Sequence, residues 1–208
     1  MTDPPPFAEL APRAHGAAVA ALPAGLAATA RAVIAVADQA LDAVAGDPAW
    51  RDKLAGLACA AGCSFCCHQL VGVTPAEAAL LAEGVAALGA ARRKRFVRRA
   101  RSLAAQAVGL DQRRYWAAKL PCAALDDDGR CLLHAFRPLP CRGYNSANAE
   151  LCRRSLDGEA VRVPVLAAQF TIYGHAQAGL AQALAAAGID PGPVALVEVL
   201  GRPATAPA

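Results

Sequence analysis

The sequence predicts a mainly α-helical protein with an embedded, irregular, cysteine-rich lobe that has room for one small β-hairpin. The chain of 208 residues is 56% hydrophobic but only 5% aromatic, and alanine supplies much of the apolar fraction. Alanine is the best helix former and a poor strand former. Apolar residues also recur every three or four positions in several segments, whereas prolines, glycines and cysteines interrupt this pattern between residues 121 and 145.

One domain is the default at this length, which is sufficient to bury a core. Residues 1–12 are rich in proline and are expected to form a flexible N-terminus. A single helical domain is predicted over residues 13–201, with a cysteine-cluster module at about 59–152 inside it. Residues 202–208 are expected to be a disordered tail.

The first clear helix is predicted from about Leu26 to Val44, where apolar side chains form one face. Gly46-Asp47-Pro48 indicates a break after it. Gly46 is expected to end this helix in a left-handed conformation, Asp47 to cap the next helix, and Pro48 to occupy its first turn. The buried stripe of that short helix is Trp50, Leu54 and Leu57.

The middle of the chain combines one extended segment with two helices. Val71-Gly72-Val73 is expected to be extended, and Thr74 with Glu77 forms a capping box in which each side chain bonds the backbone of the other residue. A helix is predicted from Pro75 to about Leu88. The helix after it has an apolar face made of Phe96, Ala100, Leu103, Ala107 and Leu110.

Region 121–145 breaks the helical pattern. Asp128-Gly129 is a tight-turn signal between two cysteine-bearing stretches, which predicts a small hairpin that carries Cys122 and Cys131. The prolines of Pro138-Leu139-Pro140 are expected to exclude regular helix around Cys141. Three more helices are predicted, near 147–155, along the apolar stripe from Leu166 to Leu184, and after Asp190-Pro191.

Eight cysteines are the strongest chemical signal in the sequence. Four of them form the pattern C-x3-C-x2-C-C, namely Cys59, Cys63, Cys66 and Cys67. The other four lie further along the chain, at Cys122, Cys131, Cys141 and Cys152. Crowded thiolates repel each other and oxidise easily, so they are typical of proteins in which a soft metal ion or an iron–sulfur cluster holds them together.

Two interpretations without metal fit the cysteines less well. Four disulfides would use an even number of cysteines. However, a chain of this length does not need disulfide cross-links to be stable, and the adjacent Cys66 and Cys67 could form a disulfide with each other only with strain. Unrelated buried thiols are common in cores, but these cysteines lie beside turn residues and charges.

The spacing does not choose between metals. Zinc favours a closed tetrahedron built from close pairs of cysteines, whereas three close cysteines with a distant fourth suit an iron–sulfur cluster at least as well. Eight thiolates could serve two sites of four ligands, or one cluster and an auxiliary pair. We predict all eight cysteines as metal ligands, with iron, as an iron–sulfur cluster, ahead of zinc.

Histidines and arginines flank the cysteines. His68 and His134 each lie within three residues of a cysteine and could ligate metal or donate a hydrogen bond to sulfur. Arg137 and Arg142 flank Cys141. Because a thiolate-bound metal carries net negative charge, we predict that both guanidinium groups bind the cofactor site by offsetting this charge. The sequence identifies no catalytic residue.

The order, spacing and flanking residues of the cysteines agree with one known family. The agreement covers Cys59 to Cys67, Pro121-Cys122, Gly129-Arg130-Cys131, the segment Arg137 to Arg142, and Cys152. With these features, residues 59–152 resemble the YkgJ-type cysteine-cluster family, also called the zinc- or iron-chelating CxxCxxCC family. The resemblance implies metal chelation by the cysteines of a cytoplasmic protein, with zinc or iron left open.

The resemblance extends to one group of enzymes and has two departures. A related module is similar to part of the flagellin lysine methylases, which use S-adenosylmethionine, but nothing outside the cysteine region identifies a methyl acceptor. The first gap holds three residues where the family label has two. Leu132-Leu133-His134 stands where an Ile-Tyr pair often follows the second late cysteine.

Charge and hydropathy limit the classes of binding partner that the sequence predicts. The formal net charge of +4 is only mildly basic, so nucleic-acid binding is not expected. The basic run at 92–101 is interpreted as a solvated helix face, and its role stays open. No stretch is long and apolar enough for a bilayer span, so we expect a cytoplasmic protein without membrane association. A protein partner and any oligomeric state are left open.

Three function classes follow from these observations. A metal- or cluster-binding protein with a redox or cofactor-bearing role leads. A zinc-stapled interaction module without catalysis is the first alternative. An enzyme linked to S-adenosylmethionine is the second, because Cys59-x3-Cys63-x2-Cys66 has the spacing of the radical enzymes that use this cofactor. Those enzymes carry the motif on alternating strands and helices, which this sequence does not predict.

Overall fold

A computed structural model describes residues 7–202, and helices dominate this part of the chain. The helices are α1 (Leu10–Ala21), α2 (Leu26–Gly46), α3 (Pro48–Ala55), α4 (Pro75–Ala86), α5 (Ala90–Ala107), α6 (Gln112–Ala117), α7 (Leu139–Gly143), α8 (Ala149–Leu156), α9 (Ala167–Ala186) and α10 (Leu196–Gly201). Strands β1 (Gly72–Val73) and β2 (Val194–Ala195) pair antiparallel. The predicted mainly α fold is confirmed. Among residues 7–202, no helix has the length and apolar character that a membrane span requires.

The first core lies between α1, α2 and α9. Small residues let these helices approach closely, since a Cβ atom on Gly179 of α9 would overlap the backbone of α1. The side chains of Val33, Ile172, Leu180 and Leu184 on these helices are fully buried in this core. None of these three helices carries a cysteine, so the first core is a scaffold on which the rest of the chain is built.

The second core lies beside the first and supports the cysteine region. Helices α4, α5 and α10 contribute buried apolar side chains to it, and Phe136 packs against both cores. Val73 of β1 and Leu133 are also buried there. Strand β2 pairs with β1 so that Gly72 lies opposite Ala195, which fixes the chain leaving the first cysteine group against the C-terminal helix.

The flexible N-terminus predicted over residues 1–12 is wrong for residues 7–12. Phe7–Glu9 form a 3-10 turn, and α1 begins at Leu10, which is 2% exposed. The helix forms because its small apolar residues pack on α9, a long-range contact that local composition does not reveal. Residues 1–6, and residues 203–208 of the predicted tail, lie outside the described residues.

Two predictions of backbone geometry are also wrong. The prolines around residue 139 do not exclude helix, because Pro140 lies in the first turn of α7, where a missing N–H removes no helical hydrogen bond. Gly46 is the last residue of α2 and does not adopt the left-handed conformation. The predicted cap at Asp47 is confirmed, since its carboxylate accepts the N–H of Ala49 at 2.8 Å.

The basic helix α5 has the predicted orientation. Phe96 and Ala100 are buried in the second core, and most of the arginines of the run at 92–101 are exposed to solvent. The short helix α6 was not predicted from the sequence. It places Tyr115 in the second core, where this side chain is 2% exposed.

Candidate metal centre

The first cysteine group lies in an irregular loop between α3 and β1. Cys63 closes a turn by donating its N–H to the carbonyl of Ala60 at 3.0 Å, and Gly62 within this turn has a φ of +91°. Cys66 and Cys67 follow in the 3-10 segment Phe65–His68, here called the cysteine turn. The thiols of Cys66 and Cys67 are close enough to hydrogen-bond to each other.

Cys59 is tied to the segment that leads into α8. Its Sγ accepts the N–H of Ser146 at 3.3 Å, and Ala58 donates its N–H to the carbonyl of Ser146 at 2.8 Å. Helix α8 carries Cys152 and packs against the cysteine turn. Burial raises the pKa of Cys63, and the charges of Cys59, Cys66 and Cys152 add to that rise.

The second cysteine group begins with the predicted hairpin. Leu125 pairs with Cys131 in an antiparallel bridge. Cys122 lies just before this bridge and donates its N–H to the carbonyl of Cys67 at 2.7 Å. This hydrogen bond ties the hairpin to the cysteine turn, although the two lie far apart in sequence.

The tip of the hairpin rests on the first cysteine loop. Asp126 closes the tip by accepting the N–H of Arg130 at 2.6 Å, and Gly129 has a φ of +75°. A Cβ atom on Gly129 would lie 2.7 Å from the carbonyl oxygen of Gly62. Glycine at position 129 therefore allows both the left-handed backbone and the close approach of the two loops.

A buried carboxylate positions α7, the helix that carries Cys141. Glu77 is 0% exposed and completes the predicted capping box with Thr74. It also accepts the N–H of Leu139 at 2.8 Å and the side-chain N–H of Gln177 at 3.0 Å. Burial raises the pKa of Glu77, and these donors oppose the rise. One carboxylate thus joins α4, α7 and α9.

A single cavity of about 740 Å³ opens among these elements. Seven of the eight predicted ligands line it, namely Cys59, Cys63, Cys66, Cys67, Cys122, Cys131 and Cys141. Cys152 does not. Four basic residues, Arg130, His134, Arg137 and Arg142, also line the cavity, but no aspartate or glutamate of residues 7–202 does. Both cysteine groups therefore meet in basic surroundings.

Burial raises the pKa values of several thiols of the cavity. Burial raises the pKa of Cys122 to about 11 and that of Cys141 well above its ordinary value. The pKa of Cys66 is raised first by a hydrogen bond with Cys67 and then by burial. These thiols are therefore protonated at neutral pH without metal, and a metal ion must displace their protons to bind them as thiolates.

Arg137 is the basic residue best placed to act on the thiols. Its Nε is buried and has no hydrogen-bond partner among the described residues. Leaving a buried donor unpaired costs on the order of 1–3 kcal/mol. Its charge lowers the pKa values of Cys66, Cys131 and Cys141, in opposition to burial. An anionic sulfur in the cavity would supply the missing acceptor.

Arg142 is held by oxygens of the protein itself. It donates to the carbonyl of Arg137 at 2.9 Å and to that of Ala135 at 3.3 Å. It also pairs with the carboxylate of Asp38 on α2, which accepts the hydroxyl of Tyr173 at 2.7 Å. These contacts fix the end of α7 to the scaffold, so Arg142 contributes charge and shape to the cavity wall.

The two histidines near the cysteines differ in placement. His134 lines the cavity, and the charge of Arg137, with burial and the charge of Arg142, lowers its pKa. His68 does not line the cavity, and its Nδ1 lies 3.3 Å from the carbonyl of Ser64. The structure therefore brings only His134 toward the grouped cysteines.

Sequence reasoning missed three residues that support the site. Asp38 and Ser146 act through contacts with residues far away in the chain, and no local pattern marks them. Glu77 was identified only as half of a capping box, which could not reveal its bonds to α7 and α9. All three orient the elements that carry the cysteines.

The donor set fits a soft metal ion or a cluster. All eight cysteines are free thiols, and Arg137, which has an unpaired buried donor, lines a cavity together with seven of them. Within residues 7–202, no group of three or more His, Cys, Asp or Glu side chains already has an arrangement that holds a metal ion. Neutral thiols follow local packing, and rotation about χ1 is needed to gather them.

Comparison with known proteins identifies the cysteine region. Residues 58–158 match the CxxCxxCC family, described as "Putative zinc- or iron-chelating domain". The matched range includes all eight cysteines and runs from near the start of the loop after α3 to just beyond α8. No curated protein and no solved structure gives a significant match.

Proposed function

We propose that residues 58–158, which match the CxxCxxCC family, form a domain of that family, and that the chain binds iron through its cysteines as an iron–sulfur cluster. The observation that carries the proposal is the single cavity lined by seven free thiols and by Arg137, whose buried Nε has no partner. A redox or cofactor-bearing role follows, because such a cluster supplies one-electron chemistry when it is bound.

Two features favour a cluster over a single zinc ion. Three sulfurs of the first group, those of Cys59, Cys63 and Cys66, come from one short loop, and the remaining candidates come from other elements, as in many iron–sulfur sites. A cavity of about 740 Å³ also exceeds the space that one tetrahedral ion needs.

The residues of the proposed site have different roles. The cysteines hold the centre, and Arg137 offsets its negative charge and donates to sulfur. Glu77 and Arg142 position α7 and therefore Cys141. We place the protein in the cytoplasm, where reducing conditions keep thiols free for metal.

A zinc staple is the second candidate, and the irregular backbone of the cysteine region favours it. The loop at 56–64 has turns but no helix or strand, and the hairpin has a single bridge. Zinc would cross-link these segments, and the helices would then present surfaces to a partner. An enzyme of the radical S-adenosylmethionine kind is not favoured, because the strands of residues 7–202 form only one pair of two residues each.

Metal analysis tests the proposal. Protein purified without oxygen should contain iron and acid-labile sulfide in equal amounts, and the double variant Cys66→Ser/Cys131→Ser should lose both. His68→Asn is a matched control, because it removes an imidazole beside the cysteines that does not line the cavity. Zinc without sulfide would support the staple, and protein free of both metals would overturn metal binding.

A further inference from the structure

We propose that the basic helix α5 and the adjoining hairpin form a docking groove for an acidic segment of a partner protein. The basic face of this helix consists of Arg92, Arg93, Lys94, Arg95, Arg98, Arg99 and Arg101. Helix α5 carries no cysteine, so the docking groove does not rest on the proposed metal binding. It assigns a kind of partner to a surface that the sequence alone left without a role.

Positive charge is concentrated on α5. The helix carries seven arginines and lysines and no aspartate or glutamate. The formal net charge of the whole chain is only +4, so the remainder of the chain is acidic on balance. Among residues 7–202, no ion pair joins a side chain of α5 to a carboxylate. The protein therefore presents a cationic surface that it does not neutralise itself.

The position of these charges opposes helix stability. Arg92 and Arg93 lie in the first turn of α5, where the helix dipole disfavours cations. Arg95 and Arg99 are four residues apart, so their like charges repel each other on the same side of the helix. The helix forms because its apolar face packs in the second core. An anionic partner would relieve both unfavourable interactions, whereas a helix face that only has to be solvated could carry charges of both signs.

A groove of about 740 Å³ lies between the basic face and the hairpin. Arg92, Arg95 and Arg98 line it and are exposed to solvent. Arg99 also lines it, and its guanidinium donates to the carbonyl of Leu125, which ties the helix to the hairpin. Guanidinium groups bind carboxylates through two parallel hydrogen bonds. The three exposed arginines thus form a row of carboxylate-binding groups along one wall.

The opposite wall of the groove favours a protein segment over a nucleic acid. It includes the hairpin tip, where Asp127 and Asp128 are exposed. A nucleic acid carries a phosphate at every nucleotide and would be repelled there. A protein segment can place glutamates against the arginines and neutral residues against the aspartates. Among the described residues of the groove, Phe96 is the one aromatic residue, and it is 3% exposed, so no ring is available to stack on bases.

The groove also differs from a membrane-binding surface. An interfacial helix needs large apolar side chains beside its basic residues to enter the bilayer. Among residues 7–202, none of the large apolar side chains that are exposed to solvent lies within α5 or lines the groove. Charge is therefore the main feature that the groove offers to a partner, and carboxylates of a protein segment complement it.

Fluorescence polarisation with a defined peptide tests the docking groove. The basic run at 92–101 is about 14 Å long, which about four residues of an extended peptide span. The probe is therefore a fluorescein-labelled peptide of five glutamates followed by five glycine and serine residues. The full-length chain should bind this peptide at low ionic strength. Arg92→Glu/Arg95→Glu should weaken binding by about tenfold, because repulsion replaces two arginine–carboxylate contacts. Circular dichroism checks that the variant is folded, and the Arg92→Glu change suits the helix dipole.

Arg13→Glu/Arg162→Glu is the matched control, because it changes the formal charge by the same amount at exposed residues that do not line the groove. Its binding should change by less than about twofold, since solvent screens charges far from the groove. Equal weakening in both variants would overturn the proposal, as would absence of peptide binding. A ten-nucleotide single-stranded DNA and phosphatidylserine vesicles serve as competitors. If either one binds more tightly than the peptide and is equally sensitive to Arg92→Glu/Arg95→Glu, the assignment of a protein partner is overturned.

Discussion

The first core and the cysteine lobe, defined as residues 57–69 and 121–152, are held together in different ways. The first core consists of helices of 12, 21 and 20 residues that bury Ile172 and Leu180 completely. The cysteine lobe has 3-10 turns, one isolated bridge and helices of five and eight residues. Its cysteines are exposed or only partly buried.

This difference indicates that the stability of the cysteine lobe should depend on bound metal more than that of the first core. Apolar burial gives about 25 cal/mol per Å², and the long helices of the first core bury apolar faces along their whole length. The lobe connects loops through a few backbone hydrogen bonds and through Glu77 and Arg142. A bound centre would replace the regular structure that the lobe lacks, so the two regions should respond differently to the same perturbations.

Metal removal should have the largest effect and should be confined to the lobe. Thiolate metal sites contribute on the order of 10 kcal/mol to the folding of small metal-dependent domains. Backbone amides at 58–69 and 122–147 should therefore lose protection from hydrogen exchange when a chelator removes the metal. Amides of α1, α2 and α9 should keep theirs. Equal loss of protection in both regions would contradict the expectation that only the lobe depends on metal.

Matched leucine substitutions should separate the two regions next. Leu180 of the first core and Leu133 of the lobe are 0% and 1% exposed. Either Leu→Ala change should lower the free energy of unfolding by about 3–5 kcal/mol because it leaves a cavity. Only Leu133→Ala should also reduce metal content, since Leu133 lines the cysteine cavity. Urea unfolding and metal analysis of the same samples provide the test, and metal loss in Leu180→Ala would count against it.

Glu77 links the two regions, so Glu77→Gln should affect both. In the wild type, the N–H groups of Thr74 and Leu139 donate to the carboxylate of Glu77. In the variant, the NH2 group of glutamine would face one of these donors, so the free energy of unfolding should fall by about 1–3 kcal/mol. Metal affinity should fall as well, because Leu139 begins α7. Glu83→Gln is the control, since its pair with Arg31 is exposed and is worth about 0–1 kcal/mol. Unchanged metal affinity in Glu77→Gln would remove its positioning role.

Two glycines with similar backbones test the contact between the hairpin and the first cysteine loop. Gly129 and Gly109 have φ values of +75° and +72°, but only Gly129 lies against another backbone segment. Gly109→Ala should cost about 1 kcal/mol from backbone strain alone. Gly129→Ala should cost more and should weaken metal binding by pushing the hairpin away from Gly62. Equal thermal stabilities would show that the contact does not matter.

The smallest effect is expected at alkaline pH. Burial raises the pKa of Tyr115 from an ordinary value of 10.0 to about 12. The folded state therefore holds this proton more tightly than the unfolded chain, so the associated stability is complete below pH 10 and is lost as the pH rises toward 12. Tyr115→Phe should show a shallower fall of stability between pH 10 and 12. Identical pH profiles would contradict this.

Local patterns predicted much of the scaffold and the candidate ligands. Helix α2, the cap at Asp47 and the capping box at Thr74 follow from contacts within a few residues. The cysteines could be recognised as candidate metal ligands because their order and spacing are properties of the sequence itself. Helix α1 was missed because it depends on packing against α9, and α7 because a proline in a first turn resembles a helix breaker. The role of Glu77 depends on partners 62 and 100 residues away, which no local pattern encodes.

X-ray absorption spectroscopy of the bound metal tests the central claim most directly. The chain, purified without oxygen, should give an iron edge with a first shell made only of sulfur, at the metal–sulfur distance of about 2.3 Å that thiolate sites show. Iron neighbours in the next shell would distinguish a cluster from isolated ions. A first shell of nitrogen or oxygen atoms would contradict the account, because the cysteines of residues 59–152 would then not hold the metal.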